Sequence, residues 1–131
     1  MPTLKYPRLS VTTDRPRGRA TVVVSCDLEF TDYEVHSMNM LGLRYTLGCH
    51  LLNMDMLYPE TVITFDQQAF PSVFRATNSH QHVVFEAVAL MRDLHSYIFG
   101  KDTLVAEPTL KNGETGAEVI ARTGSVAVAL T

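Results

Sequence analysis

A strict two-residue alternation of apolar and polar side chains, repeated from segment to segment, limits this chain more than any other feature. In ATVVVSCDLEF, Val22, Val24, Cys26, Leu28 and Phe30 alternate with Val23, Ser25, Asp27 and Glu29. Period two is the side-chain period of an extended strand, so one side of this segment faces a core and the other faces away from it. LRYTLGCHLL repeats the pattern, with Leu43, Tyr45, Leu47, Cys49 and Leu51 opposite Arg44, Thr46 and His50. HVVFEAVAL does so again, with Val83, Phe85, Ala87 and Ala89 opposite Val84, Glu86 and Val88. Both cysteines therefore point inward.

Weaker strand signals fill the intervals. A first strand is expected near Leu9 and Val11, and others in ETVITFD and around Phe74. TLVAEPTLK sets Leu104, Ala106 and Leu110 on one face, and Pro108, which cannot donate to a ladder, marks an edge or a bulge, the edge being the simpler choice. Asn112-Gly113 and Thr115-Gly116 then reverse the chain into AEVIARTGSVAVAL as a hairpin. In the returning arm Val119 and Ala121 hold odd parity while Val126, Val128 and Leu130 hold even parity, which a bulge at Gly124 reconciles.

Two connections read as short helices. In TDYEVHSMNMLG, Thr31 and Glu34 have capping-box spacing and Gly42 closes the segment. In RDLHSYIFG, Asp93 is the expected N-cap, Leu94, Tyr97 and Ile98 follow at helical spacing, and Gly100 ends the run. A chain of 131 residues suits one core, so residues 1–131 are read as a single domain. The expected fold is all-β: an antiparallel β-sandwich of about seven or eight strands with two short helical turns, a small closed β-barrel being the alternative.

Composition removes several function classes. A net charge of −3 and a pI near 5.9 disfavour nucleic-acid binding. Arg15, Arg17 and Arg19 are a local exception that would grip an anion only if the fold gathered them. No apolar run approaches the ~20 residues that span a bilayer, and the amino-terminal MPTLKYPRLS has no apolar signal core, so no membrane partner and a cytoplasmic location are expected. Cys26 and Cys49 form no CxxC pair, and their apolar parity predicts inert thiols.

The sides turned away from the core carry Val23, Leu52, Val84, Val88, Val105 and Ile120, more aliphatic surface than a solvated face needs. The expected use of this chain is therefore noncatalytic: a binding and assembly module that self-associates through an aliphatic sheet face. Another protein or an apolar small molecule is a further possible partner. Met38, Met40, Met54 and Met56 flank one candidate strand; core filling is their simplest role, and adaptable contact at a binding site comes next, ahead of a soft-ligand Cu(I) site.

No cofactor is expected. His80 and His82 stand at i and i+2, which points two imidazoles to one side, but a metal site needs a third ligand that no motif identifies. The alternative function is a small barrel enzyme of isomerase, cyclase or lyase type, acting on an apolar metabolite through His50, Arg44, Asp55 and Tyr45. No GxSxG, HExxH, P-loop or dinucleotide fingerprint accompanies that set.

Overall fold

A computed structural model describes residues 1–55, 58–72, 78–95 and 100–130. Along the chain run β1 (Thr3–Asp14), β2 (Arg19–Glu29), α1 (Asp32–Met40), β3 (Tyr45–Asn53), β4 (Glu60–Thr64), β5 (Gln68–Phe70), β6 (His80–Leu90), α2 (Met91–Leu94), β7 (Asp102–Asn112), β8 (Glu118–Ile120) and β9 (Val126–Val128). The described residues thus hold nine strands, because the returning carboxy-terminal arm is counted in two pieces, β8 and β9, and β5 was not expected from the sequence. The segment around Phe74, with Tyr97 and Ile98 of the second expected helix, lies outside the described residues.

The strands form two antiparallel sheets, and neither closes on itself, so the fold is a β-sandwich and not a barrel. One sheet has the order β1-β2-β6. In the other, β3 and β7 pair along their lengths; β4 and β5 flank β3, and β8 and β9 flank β7. The alternation places Val22, Val24, Cys26, Leu28, Val83 and Phe85 against Leu47, Cys49, Leu51, Leu104, Ala106 and Leu110 between the sheets. Burying such side chains contributes about 1.5–3 kcal/mol each, the main force holding the layers together.

Where alternation breaks, a bulge restores it. In β1, Leu4 and Leu9 have opposite parity yet both pack on the core, because the register with β2 slips between Lys5 and Arg8, where Tyr6 adopts φ 53°. The returning carboxy-terminal arm uses the same device. β8 and β9 pair with β7 one residue out of register with each other, the extra residue falling between Thr123 and Val126 as the parity change at Gly124 predicts. The buried Thr123 hydroxyl accepts from Ala106 N–H at 3.0 Å and donates to Gly124 O at 2.9 Å, replacing ladder bonds lost at the slip.

Two expectations need correction. Pro108 sits in a central strand, not on an edge, since β7 has partners on both sides. Ala121 N–H donates to Pro108 O at 3.0 Å, but proline has no hydrogen to return, and regular pairing of β8 stops at Ile120. Asp93 is not an N-cap: α2 begins at Met91 after Leu90, so Asp93 lies within its single turn. The first helix is as expected. Thr31 Oγ1 accepts from Glu34 N–H, the Glu34 carboxylate accepts from Thr31 N–H, and Gly42 follows α1 at φ 79°.

Candidate functional site

Three places combine accessible or unusual groups with geometry that function can use: the β6 edge of the smaller sheet and the two ends of the β3–β7 pair.

One of the two edge strands of that sheet is β6, the other being β1. Ser79 O accepts from Phe30 N–H and Met91 N–H donates to Gly18 O, so the odd-numbered residues turn their backbone groups toward β2. The even-numbered residues turn theirs to the open edge. Among the described residues that edge receives one bond, from Gln68 Nε2 to Val84 O at 3.1 Å, and the peptide groups of Glu86 and Val88 receive none. On the outer side of the same strand Val84 is 46% and Val88 62% exposed, with Glu86 between them. Val23 of β2, half-buried, stands opposite Glu86.

The other aliphatic residues nominated from the sequence do not extend this patch. Val105 and Ile120 belong to the second sheet and lie on its far side; Ile120 is exposed, but Val105, opposite Leu52, is only 6% exposed and offers no contact surface. A single aliphatic face is therefore replaced by two separate ones. Of the methionines, Met38 is buried in the core, Met40 is exposed at the end of α1, Met54 is half-buried, and Met56 lies outside the described residues.

At one end of the β3–β7 pair a cavity of about 520 Å³ opens between α1 and the loop after β7. Its polar centre is Glu34. One carboxylate oxygen accepts from Thr31 N–H at 2.8 Å, the other from the Tyr45 hydroxyl at 3.0 Å. Asn112 Nδ2 donates to that hydroxyl at 3.4 Å. Burial and the neighbouring Glu34 push the Tyr45 phenol up to about 12, so it stays a proton donor. Leu41, Leu43, Leu110 and Val119 supply apolar lining.

At the other end, Asn53 Nδ2 donates to Leu94 O at 2.8 Å and to Asp102 Oδ1 at 3.0 Å, while its Oδ1 accepts from Asp55 N–H at 3.0 Å. Asp102, 1% exposed, meets His95 Nδ1 at 2.6 Å through its second oxygen. The His95 side chain is partly exposed, so the contacts run from the buried carboxylate to the rim. This is a structural pin that also fixes the orientation of one imidazole.

The four residues nominated for acid–base chemistry do not meet. Tyr45 points into the molecule while His50 points out and bonds Thr64 Oγ1 at 3.2 Å. Arg44 bonds the Met38 and Leu43 carbonyls, and Asp55 accepts from Thr103 N–H at the far end. The odd and even positions of the strand already separate Tyr45 from His50. His80 and His82 do share the outer side of β6, but each faces a carboxylate across the strand pair, Glu29 at 3.8 Å and Asp27 at 2.7 Å. No group of three or more metal-ligating side chains occurs among the described residues. Arg17 lies 3.8 Å from Asp14, and Arg15 donates to Ala129 O at 3.3 Å.

Sequence reasoning missed Glu34 as a site residue because the capping box accounted for it fully. The available signal was Tyr45: an inward-facing phenol in an apolar row needs a buried acceptor. Both cysteines are free and buried, and burial pushes Cys26 to about 11 and Cys49 to about 12, as inert thiols require. No helix of the described residues is long and apolar enough to cross a membrane. Compared with known proteins, the chain matches no protein-family model and no curated protein.

Proposed function

We propose that this chain is a noncatalytic binding and assembly module whose partner is a second copy of itself, joined antiparallel along β6. The observation that carries the reading is the open edge at Glu86 and Val88, where peptide groups with no ladder partner among the described residues adjoin two exposed valines. Sheet proteins blunt such edges with bulges, prolines or lysines, and β6 has none of these. Antiparallel pairing about a twofold axis would satisfy the peptide groups of both copies and bring their Val84 and Val88 side chains together. Two buried thiols left unbridged support a reducing, cytoplasmic setting for this assembly.

Light scattering coupled to size exclusion tests it. The full chain should elute as a dimer. Val88→Lys, which puts a charge on the patch, and Glu86→Pro, which removes a donor from the free edge alone, should each yield folded monomers. A wild-type chain that stays monomeric at about 0.5 mM, a concentration where even weak specific interfaces are populated, would overturn the reading.

A further inference from the structure

We propose that the cavity under α1 is a binding site for a small organic ammonium ion with an apolar body. Its volume, about 520 Å³, is that of a ligand pocket. Its polar centre is a carboxylate whose side chain is only 10% exposed, and no lysine or arginine pairs with it among the described residues. The donors it has, Thr31 N–H and the Tyr45 hydroxyl, are neutral: they solvate the charge without cancelling it. A carboxylate withdrawn from water gains most from a cation brought to it.

The structure shows which kind of cation fits. The α-ammonium of Met1 stands 4.0 Å from Glu34 Oε2, at the limit of an ion pair, with the Met1 side chain 75% exposed. A primary ammonium thus stands within reach of this oxygen, at a distance longer than a hydrogen bond. Behind the carboxylate Leu41, Leu43, Leu110 and Val119 receive an apolar body, and Tyr33 adds an aromatic ring to the lining. Glu114, the other charged side chain of the lining, has the same sign as Glu34, so an anion is repelled and a neutral ligand forgoes the charge pairing. This site does not depend on assembly along β6.

The test uses the full chain and three probes of matched size: 2-phenylethylammonium, 2-phenylethanol and phenylacetate. In an amide-resolved NMR titration the ammonium ion should shift Thr31, Glu34, Asn112 and Thr115 saturably, and bind at least about tenfold more tightly than the alcohol, a modest gain for one charge-assisted contact. Phenylacetate should leave these resonances unmoved. Glu34→Gln keeps the length of the side chain and an acceptor for Thr31 N–H, and should reduce ammonium binding to the level of the alcohol. Val119→Trp, which fills the apolar wall, should abolish binding of both. Equal affinity for the three probes, unchanged affinity in Glu34→Gln, or no saturable shift up to about 10 mM, where the weakest ligands of this size are seen, would overturn the proposal. The comparison of probes on the unaltered chain decides it even if a variant fails to fold.

Discussion

Tyr45 shows what one polar atom demands once strand parity turns it inward. Its hydroxyl bonds Glu34 and receives Asn112, so Tyr45→Phe leaves the buried Glu34 carboxylate and the half-buried Asn112 amide each short of a partner. Urea titration should register a loss of about 1–3 kcal/mol. A second expectation concerns alkaline pH. Cys26, Cys49 and Tyr45 hold their protons to about 11, 12 and 12 in the folded chain, against ordinary values of 9.0, 9.0 and 10.0. The unfolded chain releases these protons first, so the stabilisation is complete below pH 9 and is lost as pH rises toward 12. Each group then titrating costs about 1.4 kcal/mol per pH unit. Denaturation midpoints measured from pH 8 to 11 should fall, and Cys49→Ala should flatten the slope; a flat wild-type profile would contradict the buried thiols.

At the level of elements, local patterning carried more information than pairing. The alternation in residues 20–30, 43–52 and 82–90 locates β2, β3 and β6 and assigns their inward sides, because parity depends only on the strand itself. Which strands become neighbours depends on the whole chain, so Pro108 read as an edge signal although β7 lies at the centre of its sheet. The same limit hid the candidate cavity: Asn112 is far from Tyr45 in sequence and meets it only through the β3–β7 register, while Glu34 reaches the same hydroxyl from α1. The parity change near Gly124 was legible, but its repair by Thr123 was not. Replacing that hydroxyl in Thr123→Val leaves Ala106 N–H buried without an acceptor, and thermal unfolding should show a cost of about 1–3 kcal/mol, more than expected for Ser125→Val beside it.

For the whole molecule, stability comes from one shared core capped by polar contacts at both ends. Asn53→Leu should be the most damaging polar substitution, since Leu94 O, Asp102 Oδ1 and Asp55 N–H each lose a partner. Chemical denaturation should show a loss of about 3–5 kcal/mol in a single cooperative transition. The two polar ends also share a ladder: Tyr45 joins Asn112 at one limit of the β3–β7 pair, and Asn53 joins Asp102 at the other, roughly 26 Å away by strand rise. A two-residue slide of β3 along β7 would keep every leucine on its proper side, so greasy-against-greasy matching alone tolerates the misaligned form. Clasps at both limits do not, and the correct alignment is thereby singled out from its near copies.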